Sequence, residues 1–342
     1  MNATIIGAGA WGTAVAIHAA KSMGADGRVV LWARDPEQTK LLQVSRVNQK
    51  YLPGVPFPEN LIVESSWDLA VENASAVEDL LIIATPLSGL ANTCQQLLCA
   101  TTIPKNWIWL CKGIEPETSA LPHEIVKREL TSVSLGQVAY GVLSGPSFAI
   151  EVAKGLPCAL TVASQFPNLC RLTQVLLHHQ SMRVYATDDV VGVELGGAIK
   201  NVLAIATGIG DGLGLGLNAR AGLITRGMVE MMRLGQAMGA KSETFSGLTG
   251  LGDLILTATG DLSRNRKVGL ALASGKNLDQ ILKELGHVAE GVRCAQAIQA
   301  LAMKHNIQMP IVESVCDVLF AGVDPKIAVS KLMSRDPKAE ND

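Results

Sequence analysis

Four clusters stand out because they combine small residues with isolated polar ones, an arrangement that suits close approach to a ligand. Lys200, with Asn201 beside it, lies within Glu194-Leu195-Gly196-Gly197-Ala198-Ile199-Lys200-Asn201-Val202-Leu203. On a helix such a lysine must reach solvent, a counter-charge or a substrate, snorkelling to the surface being the plain alternative. Asp253 follows Gly247-Leu248-Thr249-Gly250-Leu251-Gly252 and precedes Thr257 by one helical turn, so the two share a face if a helix begins near Gly252. Asp253 reads equally well as a helix-start residue. Lys112 and Gly113 follow an apolar run whose carboxyl end would face a ligand crevice, or else mark a surface turn. Ser144-Gly145-Pro146-Ser147-Phe148-Ala149 follows another such run and offers hydroxyls and amides, although an ordinary turn accounts for its glycine and proline. Ser263-Arg264-Asn265 sets a guanidinium between two hydrogen-bonding side chains, a group suited to phosphate or carboxylate.

These residues need elements to position them, and the surest of those lies at the start of the chain. Ala3-Thr4-Ile5-Ile6 leads into Gly7-Ala8-Gly9-Ala10-Trp11-Gly12 and then an alanine-rich stretch. This reads as strand, tight turn and helix. Gly7 permits the turn, Gly9 lets the backbone approach a pyrophosphate, and Gly12 lets helix and strand pack closely, with the anion at the helix N-terminus. A second β-type run, Arg28 to Trp32, arrives at the spacing of a βαβ unit, so a dinucleotide is the expected ligand. Arg34 and Asp35 follow it, where an arginine would meet a ribose 2′-phosphate and an acid a 2′-hydroxyl. Arg34 favours NADP, with NAD open; alternatively Arg34 is a solvated loop charge and Asp35 with Pro36 merely starts the next helix.

Further runs at Leu80 to Thr85, Trp107 to Cys111, Val138 to Leu143 and Ala159 to Ser164 alternate with helical stretches, the pattern of a parallel sheet covered on both faces. Residues 51–58, with three prolines, form an extended loop, and the sheet is expected to end soon after Ser164. From Asp188 onward the periodicity is helical, over Val190 to Thr207, Asn218 to Gly239 and Cys294 to His305. The glycine cluster from Gly208 to Gly216 is expected to connect the first two of these helices. The chain thus divides into an α/β, doubly wound Rossmann-type domain over 1–187 and a mostly α-helical domain over 188–342, with the catalytic site expected in the crevice between them.

Composition narrows the function. A chain of 342 residues, 48% hydrophobic, with a formal charge of -2 and no basic block, argues against nucleic acid or anionic membrane as a partner and for small molecules. No apolar stretch reads as the roughly 20 residues of a membrane span, and the N-terminus lacks the basic region of a signal peptide. The seven scattered cysteines read as reduced core residues of a cytoplasmic protein. His178-His179 is unsuited to a metal, because adjacent helical residues face different ways, and no metal is expected.

Taken together the clusters resemble bacterial NAD(P)-dependent glycerol-3-phosphate dehydrogenase nearly end to end. The likeness runs through Gly7 to Gly12, Tyr51-Leu52-Pro53-Gly54, Lys112-Gly113, Ser144 to Ala149, Gly197-Ala198-Ile199-Lys200-Asn201, Ile224-Thr225-Arg226-Gly227, Gly250-Leu251-Gly252-Asp253-Leu254 and Ser263-Arg264-Asn265. The resemblance implies reversible reduction of dihydroxyacetone phosphate to sn-glycerol 3-phosphate, which supplies the glycerophospholipid backbone. It implies that Lys200 donates and accepts the proton, assisted by Asp253. Lys112, Gly145, Ser147, Lys200, Asp253, Ser263, Arg264 and Asn265 would bind substrate. Besides Gly7, Gly9 and Gly12, the cofactor residues would be Ala10, Trp11, Arg34, Lys112, Ala149, Arg264, Val288 and Glu290. A homodimer is implied by the resemblance alone. Two other readings fit the residues without it: a two-domain dehydrogenase of β-hydroxyacid type, and a non-catalytic NAD(P)-binding regulator.

Overall fold

Short runs of β-branched and apolar residues, buried on both faces, can satisfy their backbone only as neighbours in a covered sheet. In the computed structural model, which describes residues 1–24, 27–131, 138–285 and 289–336, these runs form a single sheet. Its strands are β1 Ala3–Ile6, β2 Val29–Trp32, β3 Leu61–Glu64, β4 Leu80–Ile83, β5 Asn106–Trp109, β6 Ala139–Ser144, β7 Cys158–Ala163 and β8 Met182–Thr187. The order is β3-β2-β1-β4-β5-β6-β7-β8, and its first six positions are those of a doubly wound dinucleotide fold. Two strands go beyond the sequence reading. β3 follows the proline-rich loop, and β8 continues the sheet past the expected end. All pairings are parallel except β6 with β7, which is antiparallel, so the sheet is mixed.

The chain forms two compact units, Met1–Cys111 with Pro122–Val190, and Lys112–Leu121 with Val191–Asp342. The first is the Rossmann-type α/β unit and the second is helical. A single boundary at Thr187 therefore misses an excursion: residues 112–121 leave the sheet unit, and Ile114 and Leu121 join the helical core. Two other expectations need correction. The helix Val190–Gly212 runs through Gly208, Gly210 and Gly212, so only Leu213 to Leu215 separate it from the helix Gly216–Ala237. These glycines serve packing within a helix more than a connection. By length and composition that same helix could cross a membrane, yet it is buried as a core helix. Among the cysteines, Cys99 is exposed, and the others are buried or half-buried free thiols.

One buried carboxylate ties the helical unit together. Glu230, on the helix Gly216–Ala237, receives the N–H of Ile311 at 2.7 Å on Oε1 and that of Val312 at 3.3 Å on Oε2. These donors belong to the first turn of the helix Pro310–Phe320, where backbone N–H groups lack partners of their own. Burial pushes the Glu230 carboxyl up to about 7 against the pull of the two donors; Glu313 adds to the rise and Arg233 opposes it. The folded protein therefore holds a proton that an ordinary glutamate releases at 4.5. Stability contributed at this site is lost as pH rises from that value through about 7, by ~3 kcal/mol in all. Glu230→Gln should remove this dependence: its urea midpoint, compared with that of the natural protein, should gain steadily between about pH 5 and about pH 8. A gap that does not change with pH would refute the assignment.

Candidate active site

The glycine turn is built as its spacing demands. Gly7 leaves β1 with a φ of 118°, a left-handed conformation that disfavours a side chain. A Cβ on Gly12 would lie 2.1 Å from the Gly7 carbonyl oxygen and 2.8 Å from the Ala84 methyl, so helix and strand can meet only at a glycine. A Cβ on Gly9 would meet nothing within 4 Å. Gly9 is the N-cap of the helix Ala10–Met23 and contributes no side-chain cap, which suits a pyrophosphate received by the first-turn amides. Buried Asn48 braces the turn, donating to the Ala8 carbonyl at 3.0 Å and to Thr13 Oγ1 at 2.8 Å.

Beyond β2, Asp35 does what a helix-start residue does. Its Oδ1 accepts the Glu37 N–H at 3.0 Å, with Pro36 in the first helical position of Pro36–Ser45. Arg34 is exposed beside it, and Ala10 and Trp11 are half-buried. After β6, Gly145 takes a φ of 137°, Ser147 Oγ donates to the Gly145 carbonyl at 3.2 Å, and Ala149 opens the short helix Ala149–Ala153. All of these belong to the sheet unit.

The helical unit gathers the charged residues. Lys200 Nζ donates to Asp253 Oδ1 at 2.7 Å and to Thr257 Oγ1 at 2.9 Å. Lys112 Nζ donates to the other oxygen, Asp253 Oδ2, at 2.6 Å. One carboxylate thus bridges two lysines, with side chains only 2%, 9% and 15% exposed for Asp253, Lys200 and Lys112. Close backbone approach sets this register. A Cβ on Gly196 would lie 2.6 Å from the Thr249 carbonyl oxygen, so the helix Val190–Gly212 lies against the π-helical turn Leu248–Gly252. One turn further along each segment, Lys200 meets Asp253. Thr257, one turn beyond Asp253 on the helix Asp253–Thr259, completes the site.

Burial pushes the Lys200 amine down. Asp253 pulls it back up, Lys112 lowers it again, and the result is about 8. Burial alone would raise the Asp253 carboxyl, but Lys112 and Lys200 together hold it below the ordinary aspartate range. Lys200 therefore carries a proton it can release close to neutral pH, beside a fixed negative charge and a second cation.

A second network, of two side-chain amides and one carboxylate, adjoins the first. Asn201 Nδ2 donates to the Gly197 carbonyl and to Glu290 Oε2, each at 3.2 Å. Its Oδ1 accepts from Asn265 Nδ2 at 2.9 Å, and Asn265 Oδ1 accepts the Gly291 N–H at 3.0 Å. Ser263 is buried and caps the helix Arg264–Ala273 by accepting the Arg266 N–H at 3.2 Å, while Arg264 is exposed in the first turn. Thr257 and Asn201 join the site beside the expected residues, and for Thr257 the signal in the sequence is its four-residue spacing from Asp253. Val288 lies outside the described residues. Among the described residues, no group of three His, Cys, Asp or Glu side chains is arranged to hold a metal ion.

Comparison with known proteins points to one family over nearly the whole chain. The family model for the NAD-dependent glycerol-3-phosphate dehydrogenase N-terminus matches residues 2–170, and that for its C-terminus matches 189–330. The chain is 58% identical to a glycerol-3-phosphate dehydrogenase, NAD(P)+, of Polynucleobacter asymbioticus, over 99% of this chain and 100% of the relative. It is likewise 58% identical to one from Cupriavidus metallidurans, with the same coverage. The crystal structure of glycerol-3-phosphate dehydrogenase from Coxiella burnetii is similar with a TM-score of 0.89 and 40% identity, covering 98% of this chain and 99% of that one.

Substituting the bridging carboxylate tests the electrostatics directly. Asp253→Asn removes the charge that raises Lys200 while leaving burial and Lys112, both of which lower it. The Lys200 pKa, followed by NMR titration of carbon-labelled lysine, should drop by at least about one unit below that of the natural protein. An unchanged or higher value would mean that Asp253 does not control the amine.

Proposed function

Since the chain belongs to the NAD-dependent glycerol-3-phosphate dehydrogenase family, we propose that its carboxylate-bridged lysine pair runs that family's reaction. The enzyme is an NAD(P)-dependent oxidoreductase that reduces dihydroxyacetone phosphate to sn-glycerol 3-phosphate, reversibly. The observation that carries the assignment of roles is Lys200, a buried amine with a pKa of about 8 held by two short hydrogen bonds.

NAD(P)H, when bound, supplies the hydride that reduces the substrate ketone. Protonated Lys200 stabilises negative charge developing on the ketone oxygen and gives it a proton. Two of its three N–H bonds are directed to Asp253 and Thr257, which leaves the third for that oxygen. In the reverse direction neutral Lys200 accepts the proton of the C2 hydroxyl. Lys112 places a second positive charge by the substrate, and Asp253 orients both amines. Arg264 takes the phosphate dianion, with the Ser263 hydroxyl proton and the second Nδ2 hydrogen of Asn265 as further donors. Gly145 and Ser147 contribute an amide and a hydroxyl to substrate binding.

The residues of the glycine turn fit a dinucleotide: Gly7, Gly9 and Gly12 with Ala10 and Trp11 would hold its pyrophosphate and flanking groups. Ala149, Lys112, Arg264 and Glu290 would meet its other parts. The carboxylate of Asp35 is engaged in a helix cap while Arg34 is exposed, which favours NADPH over NADH. We further propose that the enzyme works as a cytoplasmic homodimer and makes the glycerol 3-phosphate backbone of phospholipids.

Steady-state assays with dihydroxyacetone phosphate should show NADPH preferred to NADH by about tenfold or more in kcat/KM, and Arg34→Ala should erase most of that preference. A clear NADH preference would overturn the role of Arg34. Lys200→Ala should lose about 1,000-fold in kcat with NADPH affinity, read by cofactor fluorescence, within about twofold. In the natural enzyme, reduction should weaken as pH rises through about 8 while glycerol 3-phosphate oxidation strengthens over the same window. Near-normal turnover by the alanine variant would remove Lys200 from the chemistry.

A further inference from the structure

Asp211 carries a charged cluster outside the site described so far. It lies on the helix Val190–Gly212, about three turns beyond Lys200, and its side chain is only 8% exposed. Arg220 approaches Oδ1 through Nε and Nη2, each at 2.7 Å. Arg266 Nε donates to Oδ2 at 2.8 Å. A carboxylate buried to this degree, with both oxygens occupied by guanidinium groups, fixes two segments against its own helix. The Nη1 of Arg266 also reaches Asp261 Oδ1 at 3.1 Å, but Asp261 is almost fully exposed, so water screens that arm.

Arg266 is held from three sides. Its N–H is capped by Ser263 Oγ, and its guanidinium is anchored on Asp211. A Cβ on Gly208 would lie 2.2 Å from its carbonyl oxygen, so the backbones of the two helices touch there. Residues two apart on a helix project in nearly opposite directions. With Arg266 locked onto Asp211, Arg264 is left exposed, and Asn265, between them, is buried in the amide network with Asn201 and Gly291. The clamp therefore fixes the rotation of the first turn of this helix.

We propose that the Arg220–Asp211–Arg266 clamp is a positioning device that sets the anion-binding end of the Arg264–Ala273 helix. Asp211 touches no ligand, yet phosphate affinity depends on it. The proposal rests on the reading of Arg264 and Asn265 as phosphate ligands. It predicts a selective defect, in which binding of the phosphate group suffers while proton transfer at Lys200 does not.

The test compares Asp211→Asn and Arg266→Lys with the natural enzyme, using Asp261→Asn as the control that severs only the screened arm. Affinities for inorganic phosphate and for sn-glycerol 3-phosphate are measured by calorimetry, alongside kcat, KM and the pH profile. Both clamp variants should weaken the two ligands by about tenfold and raise KM for dihydroxyacetone phosphate to match. In both, kcat should stay within about threefold and the limb near pH 8 should stay in place, and Asp261→Asn should match the natural enzyme. If Asp211→Asn binds phosphate normally, the proposal fails, and a defect confined to Arg266→Lys would make Arg266 itself the ligand. Lost affinity together with a displaced pH limb would show a collapse of the helical unit and equally overturn it. If the natural enzyme binds phosphate but does not reduce dihydroxyacetone phosphate, the functional reading falls while the clamp is still judged on phosphate affinity. If it binds no phosphate, the clamp fails as well.

Discussion

A carboxylate almost wholly removed from water must be compensated where it stands, and the helical unit is arranged around that need at Asp253. Desolvating an ion costs several kcal/mol even after relaxation, and loss of one partner leaves an uncompensated buried charge. Two lysines answer it, one on each oxygen. None of the three charges has its properties alone. Asp253 stays ionised because the lysines outweigh its burial, and Lys200 releases its proton near neutrality because burial and Lys112 together outweigh Asp253. A lysine paired with an aspartate in water would remain charged far above the physiological range, and a buried lysine without a partner would tend to be neutral. The triplet places Lys200 between these limits, where one geometry serves as acid in reduction and as base in oxidation.

Such a triplet demands backbone precision that side chains cannot supply. Lysines are long and flexible, so their positions are fixed from the other end, by how closely the segments bearing Asp253 and Lys200 approach. Gly196 against Thr249 sets that spacing, and the tight π-helical turn at Leu248–Gly252 delivers Asp253 at the start of its helix. Within that turn a Cβ on Gly250 would lie 2.0 Å from the Phe245 carbonyl oxygen, so the turn can close only with glycine there. The glycines around the charged residues thus serve packing first, and the chemistry follows from the register they permit.

This explains which parts of the molecule were legible in the sequence. The turn at Gly7 to Gly12 could be read because its glycines act locally, between one strand and the helix that follows it. Lys200 and Asp253 could be picked out because a charge among tiny and apolar residues has few ways to exist. Gly208, Gly210 and Gly212 were misleading for the same physical reason: a glycine that admits a neighbouring helix looks in sequence like one that makes a loop. β3 is an edge strand whose apolar run is only Leu61 to Val63, with alternate residues half-exposed, and β8 exposes alternate side chains, so neither stands out as a buried central strand does. The excursion of residues 112–121 into the helical unit depends on tertiary contacts, and no local pattern announces it.

The amide network adds a constraint that residue types alone would not reveal. Asn265, expected among the phosphate ligands, uses one Nδ2 hydrogen on Asn201 and its oxygen on the Gly291 N–H, so at most one hydrogen is left for an anion. Asn201 in turn holds Glu290, whose charge raises the Lys200 amine slightly. The network therefore couples three helices, those bearing Lys200, Asn265 and Glu290, through two neutral amides that end on the Glu290 carboxylate. The two amide links carry no charge of their own, and buried networks of this kind hold rigidly only when every member is satisfied. The rigidity that Lys200 needs to meet a ketone oxygen at hydrogen-bonding distance thus comes in part from amides that never exchange a proton with it.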